Sequence, residues 1–405
     1  MNNADNIQKR NMRILVSPMA AMAETSGPSS RVKALVEGFR DAGFEVATCM
    51  AEDVNYKKID GVKNYFLDVP MPMGLPGFIA KRTFPVAQKL GVTSKKTVNS
   101  FDQVLRFTGN LDYKYLKKSV ASVRKAIREF KPDAVYSEFN ISAIIAARKE
   151  KIPICASVSY PTQHEYAHDS KLTGGLNRLL GGLALPRVYS ALQLFDWADM
   201  RFCPSIRELE PIEELKGFPE DSEEICYCGT FKKLSGERQQ KADTPKNKVL
   251  VYMGNGTVPA VKTLEVMKEV FRDGKYEVYI ASSYLEEETI GNIHVAHRWD
   301  FSKLLDESVL FINHGGQNSI VDGLLHGVPQ LIVPGKVFER IYNANSVADN
   351  GAGVMLSYTD FDASHIGQLA DEITCSESMS DNSYNLGQKL TLAGGVDAII
   401  SELDG

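Results

Sequence analysis

Residues Asn313 to Gly353 read NHGGQNSIVDGLLHGVPQLIVPGKVFERIYNANSVADNGAG, and the turn at the start of this stretch decides how the rest of the chain is read. An apolar run of strand length, Val309 to Asn313, ends in His314-Gly315-Gly316. A helix is expected from Asn318 or Ser319 to His326, with Ile320, Val321, Leu324 and Leu325 along its buried side. Paired glycines let the backbone approach a ligand closely, while the uncapped amides and positive dipole end of a helix suit a phosphate anion. His314 can add a donor to that anion, and so can the Ser319 hydroxyl. The same residues also fit a simple turn in which Ser319 and Asp322 form an S-x-x-D capping box. Beyond the helix, a strand is expected over Gln330 to Val333 and another helix over Asn343 to Asn350.

The alternation extends in both directions from this stretch. Upstream lie a strand at Val249 to Met253, a helix near Ala260 to Phe271, and strands at Glu277 to Ser282 and Ile293 to Ala296. The first half opens with a strand at Met12 to Met19, a Gly/Ser/Pro turn and a helix over Arg31 to Ala42. Val32, Leu35, Val36 and Phe39 form one stripe of that helix, Gly43 stops it, and a strand follows at Glu45 to Met50. A helix at Lys118 to Phe130, a strand at Asp133 to Phe139, a helix at Ile141 to Glu150 and a strand at Ile154 to Ser159 repeat the theme. Strand, helix, strand in regular succession gives parallel sheets, so the fold class is α/β. A chain of 405 residues also exceeds the roughly 250 to 300 residues at which a single core stops growing. The run from Ser235 to Lys248, SGERQQKADTPKNK, has one alanine as its only hydrophobic side chain and marks the linker. The expected domains are therefore 1–234 and 249–385, each Rossmann-like and facing a central cleft, with a final helical segment at 386–405. Such sheets bind ligands at the carboxyl ends of their strands.

A net charge of -5 gives no general pull toward polyanions and no local basic patch stands out, so nucleic acid is excluded as a partner. The six cysteines, at 49, 155, 203, 226, 228 and 375, lack zinc-ligand spacing and are expected as reduced thiols. The opening MNNADNIQKRNMRILV shows no apolar segment with a cleavage site, and no run of eighteen apolar residues appears, which makes the cytoplasm the expected compartment. Two stretches break the alternation. Residues 70 to 110 are rich in Met, Pro, Gly and Phe and carry Lys81, Arg82, Lys95 and Lys96, as befits a ligand-contacting loop. Residues 174 to 195, GGLNRLLGGLALPRVYSALQLF, are apolar but interrupted by Arg178, Pro186 and Arg187. They fit a core or cleft-lining helix best, with peripheral membrane contact as the lesser reading.

The pattern from Asn313 to Gly353 resembles the nucleotide-sugar signature of the family-one glycosyltransferases, the bacterial UDP-glycosyltransferases and macrolide glycosyltransferases of GT-B architecture. The resemblance implies that His314, Gly315, Gly316, Asn318 and Ser319 hold the donor diphosphate. Asp322, where relatives usually carry Glu, would bond the ribose. Glu339-Arg340 stands where many relatives have Asp-Gln against the sugar hydroxyls. Gly254, Asn255, Gly256 and Thr257 would form a second loop facing the donor phosphates, and Arg298 or Trp299 would lie flat against the base. In relatives the terminal helix crosses back onto the first domain.

The implied reaction is transfer of a hexose from a nucleotide-sugar, UDP-linked by family habit, to a hydroxyl of a fairly apolar acceptor with inversion, using neither metal nor cofactor. Asp360-Phe361-Asp362 reads as a helix N-cap rather than a metal motif. One departure stands out: relatives usually carry a His in the loop after the first strand, whereas SPMAAMAETSGPSSRV contains none. Candidates for the missing base are Glu24 in that loop, Glu138 after a later strand, and His164, whose pKa suits the task best, with His168 nearby. A nucleotide-sugar epimerase and a non-catalytic nucleotide-sugar-binding partner subunit are the alternative functions.

Overall fold

The computed structural model describes residues 12–20, 27–52, 57–72, 98–219, 224–232, 246–254 and 257–404. The candidate residues Glu24, Asn255 and Gly256, the basic residues Lys81, Arg82, Lys95 and Lys96, and most of the linker lie outside the described residues.

The first domain runs β1 (Arg13–Pro18), α1 (Gly27–Asp41), β2 (Glu45–Ala51), β3 (Lys63–Leu67), α2 (Phe101–Phe107), α3 (Tyr113–Phe130), β4 (Ala134–Glu138), α4 (Ile141–Glu150), β5 (Ile154–Ser157), α5 (Gly174–Gly182), β6 (Met200–Cys203) and β7 (Ile225–Tyr227). Its sheet has the order β3-β2-β1-β4-β5-β6-β7, parallel throughout. The second runs β8 (Lys248–Tyr252), α6 (Ala260–Val270), β9 (Glu277–Ala281), β10 (Glu288–Ile290), β11 (Ile293–Ala296), α7 (Phe301–Asp306), β12 (Ser308–Asn313), α8 (Gln317–Leu325), β13 (Gln330–Ile332), α9 (Phe338–Asp349), β14 (Gly353–Met355), α10 (Ala363–Thr374), α11 (Glu377–Leu392) and α12 (Val396–Asp404). Its order is β10-β11-β9-β8-β12-β13-β14, and only β10 runs antiparallel to its neighbour. This is the two-sheet GT-B arrangement.

Local chemistry explains the main elements. Helix α3 starts where the Asp112 carboxylate accepts from the amides of Lys114 and Tyr115, and it stops at Lys131 in the left-handed region at φ 53°. Its Leu116, Val120, Val123, Ile127 and Phe130 form one buried stripe against the sheet. Helix α4 is capped by Asn140, whose side-chain amide also donates to Ser17 Oγ and the Pro18 carbonyl, both at 3.0 Å. That bond fixes the carboxyl ends of β1 and β4 against each other at the cleft.

Several boundaries depart from expectation. Helix α9 begins at Phe338, five residues before the expected Asn343; this opening segment, FERIY, is only half-buried, so burial does not mark the start. Helix α8 begins at Gln317 with Gly316 as N-cap, so Ser319 lies inside the helix and the S-x-x-D capping box does not form. Strands β3, β6, β7, β10 and β14 are not foreseen in the sequence; β10 is three residues long and wholly exposed, which leaves no pattern to read. Residues 174 to 195 turn Leu176, Leu179, Leu180, Leu192, Leu194 and Phe195 into the first core. No described helix is long and apolar enough to cross a membrane. All six cysteines are unbridged, with Cys375 exposed, Cys226 half-buried and the rest buried.

The chain passes between the domains twice, and the two passages touch. Thr230 N donates to the Leu390 carbonyl at 3.2 Å, and Gly395 N to the Cys228 carbonyl at 2.6 Å. Gly229 at φ 68° lies so close to the Leu390 carbonyl that no side chain fits there. Past this seam, Val396 and Ile399 of α12 join Val32, Leu35, Val36 and Phe39 of α1 in one core of the first domain.

Candidate functional site

A cavity of about 320 Å³ opens between the two sheets. The first domain contributes Arg31, Phe139 and Glu210, the passage between domains contributes Lys232, and the second domain contributes Gln317, Asn318, Val321, Glu339 and Asn343. The site therefore lies at the carboxyl ends of both sets of strands, as parallel sheets require.

The glycine turn after β12 is held from several sides. Gly315, at φ 78°, donates its amide to Asn313 Oδ1 at 2.9 Å, and its carbonyl accepts from Asn343 Nδ2 at 2.9 Å. Asn313 is steadied in turn by Gln330 at 2.8 Å, whose own amide reaches the Ile320 carbonyl at 3.0 Å. Gly316 caps α8 without any side chain, the first amides of α8 have no intrahelical carbonyl to meet, and Gln317 and Asn318 of this first turn line the cavity. Ser319 is buried in the first turn.

His314 is seated under this turn. Its Nδ1 lies 3.4 Å from the Tyr252 carbonyl, and its ring packs on two glycines. A Cβ at Gly254 would come within 3.0 Å of His314 Nε2, and one at Gly316 within 2.7 Å, so both positions must be bare. Burial, reinforced by the neighbouring Arg340 charge, pushes the His314 pKa down to about 3 and leaves a neutral imidazole at ordinary pH.

The expected sugar pair divides. Glu339 lines the cavity, whereas Arg340 turns back and donates from Nη1 to Thr257 Oγ1 at 2.9 Å. Asp322 forms an ion pair with Lys232 across the two domains. Arg298 is exposed. Trp299 is half-buried, its Nε1 donating to the Ile280 carbonyl at 3.0 Å and its ring meeting Tyr279 edge-on at 5.1 Å. Asp362 caps α10 through the His365 amide at 3.0 Å.

The base candidates are engaged elsewhere. Glu138 is buried; Arg31 Nε donates to it at 2.7 Å and the Ser157 hydroxyl also donates to it, so the cavity meets Arg31 rather than the carboxylate. His164 has Nε2 2.9 Å from Asp196 and Nδ1 2.6 Å from the Tyr189 hydroxyl, and it is not among the cavity-lining side chains. Burial opposes its charged form, but Asp196 and then Glu165 outweigh this and hold its pKa above the ordinary value. The exposed His168 bonds the His164 carbonyl.

Glu210 was missed in the sequence. It is 4% exposed, accepts from the Tyr160 amide at 2.6 Å and reaches the cavity. Burial pushes its pKa up to about 7; the Tyr160 amide opposes this and Glu339 adds to it. It stands among Glu208, Glu213 and Glu214, and nothing in that acidic run singles it out. Beside it the domains meet through aromatic rings: Tyr160 stacks on Tyr342 at 4.7 Å and Tyr166 on Phe338 at 5.4 Å, while the Tyr342 hydroxyl donates to the Leu209 carbonyl at 2.8 Å.

Residues 280–393 match the family model described as Erythromycin biosynthesis protein CIII-like, C-terminal domain. The chain is 22% identical over 190 residues to the NDP-glycosyltransferase YjiC of Bacillus subtilis (strain 168), a match covering 44% of this chain and 47% of that relative, so less than half of the relative's length is spanned. The calicheamicin glycosyltransferase CalG4 has the same fold, with a TM-score of 0.72, 16% identity and 98% coverage of both chains. So does the spinosyn rhamnosyltransferase SpnG complexed with thymidine diphosphate, with a TM-score of 0.64, 16% identity and coverage of 97% of this chain and 100% of that one.

Proposed function

We propose that this chain is a family-one glycosyltransferase of GT-B fold and that it moves a hexose from a nucleoside diphosphate to a hydroxyl of a small, largely apolar acceptor, with inversion. The observation that carries this reading is the uncapped α8 amino terminus opening into the interdomain cavity with neutral His314 beneath it. Such a site suits a leaving diphosphate, whose growing negative charge is the largest electrostatic demand of the reaction. The acceptor oxygen bonds the anomeric carbon as the bond to the β-phosphate oxygen breaks, the electron pair leaves with the diphosphate, and the acceptor proton passes to a base or to solvent. Glu138 serves as a positioning residue that holds Arg31 at the cavity wall.

UDP is the nucleotide of first choice, and dTDP stands beside it because SpnG was solved with thymidine diphosphate. Incubation with UDP- and dTDP-hexoses and a panel of apolar hydroxyl acceptors should yield glycoside and free nucleoside diphosphate. Failure with every donor would overturn the reading.

Two substitutions probe the donor side. His314→Ala should weaken donor use by about 1.5 to 3 kcal/mol in kcat/KM, the scale of a hydrogen bond to a charged group; wild-type donor kinetics would refute the cradle. Asp322→Ala should weaken UDP binding in calorimetry by about 1 kcal/mol or more, as expected if the carboxylate is shared between Lys232 and a ribose diol. Unchanged affinity would remove the ribose contact.

A further inference from the structure

The Arg340 side chain is half-buried in the second domain, and among the described residues its one hydrogen bond runs to Thr257 Oγ1. No carboxylate among the described residues lies within ion-pair distance of it. Burial, partly offset by Glu339 and then Tyr252, pulls its pKa below the ordinary arginine value, and its charge also acts on the neutral His314. A cation partly withdrawn from water and held in no ion pair is costly, and the cost falls when an anion joins it. A guanidinium has five N–H donors in a planar fork matched to phosphate oxygens, and Thr257 takes only one.

The surroundings are closely packed. Thr257 follows the Gly254 turn, and a Cβ at Gly335, φ 67°, would press on Thr257 Cγ2 at 3.0 Å. A Cβ at Gly315 would meet the Arg340 carbonyl at 2.9 Å. Three bare positions thus let the glycine turn, the Thr257 loop and the start of α9 close around one point beside His314.

We propose that Arg340 is the counter-charge for the donor's diphosphate, held in place by Thr257, and does not contact the sugar hydroxyls as the family resemblance implied for this position. This rests on the donor being a nucleoside diphosphate sugar. It adds a fixed positive charge to the helix amides, which supply only partial charges.

The test is calorimetric titration of wild type, Arg340→Gln and Arg340→Lys with UDP, inorganic pyrophosphate and uridine. Arg340→Gln should lose about ten- to hundred-fold in affinity for UDP and pyrophosphate, Arg340→Lys should recover part of it, and uridine should bind all three equally. Equal UDP affinity in wild type and Arg340→Gln overturns the inference and leaves the proposed reaction standing, as does an equal loss for uridine. A wild type that binds neither UDP nor dTDP overturns both. An NMR titration of wild-type His314 guards against a misfolded variant: pyrophosphate beside the Arg340 charge should raise the imidazole pKa, and an unmoved titration counts against the site.

Discussion

Gly387→Ala is expected to cost about 3 kcal/mol of stability, the upper end of what an overpacked core exacts. Helix α11 crosses α8 with Gly387 directly on the Leu324 carbonyl, and an added methyl would collide with that oxygen and press on Leu325 Cα. The atoms in the way are backbone, so relief requires α8 to move as a body. Its far end carries Gly316 and the amides of the cradle, so UDP affinity should fall along with the unfolding midpoint. The same substitution at Gly181, on the exposed side of α5 with nothing within 4 Å of the added methyl, should be neutral or stabilising by up to about 1 kcal/mol. Denaturant titration of both variants reads the contrast; equal effects would mean that the α8–α11 contact is looser than described.

The second large effect depends on pH. Glu210 has a folded-state pKa of about 7 against an ordinary value of 4.5. Between those values the folded chain keeps a proton that the unfolded chain releases, so rising pH favours unfolding. The wild type should lose on the order of 3 kcal/mol between pH 4.5 and 7 on this account. Glu210→Gln, whose amide oxygen can still accept from the Tyr160 amide, should lack that slope and be the more stable protein at pH 8. Unfolding curves at pH 5 and pH 8 measure it, and parallel behaviour of the two proteins would show that Glu210 ionises freely. Glu339→Gln should shift the wild-type slope to lower pH, because Glu339 raises the Glu210 pKa across the cavity.

Much of this was legible along the chain. The helical stripe of α3, the turn at His314-Gly315-Gly316 and the repeated strand and helix lengths each declare themselves locally, because burial on one face imposes a period. What escaped depends on contacts between distant segments. Glu210 differs from Glu213 only in what folds over it. The family resemblance puts Arg340 at the sugar because Glu339-Arg340 stands where relatives carry Asp-Gln, yet one step along α9 turns the side chain from the cavity to Thr257. His164 looked available because neither Tyr189 nor Asp196 could be foreseen as its partner. The exposed three-residue β10 left no periodicity to detect.

The paired passages at Thr230–Leu390 and Cys228–Gly395 carry a mechanical implication. Two polypeptide segments bonded to each other resist sliding past one another, so this seam is where any change of angle between the lobes would be centred. Lys232 stands two residues beyond Thr230 and grips Asp322 on the opposite leaf. If the proposed donor site engages Asp322, its occupancy would be felt first at this seam, where a small change of angle is magnified at the far rim of the cleft.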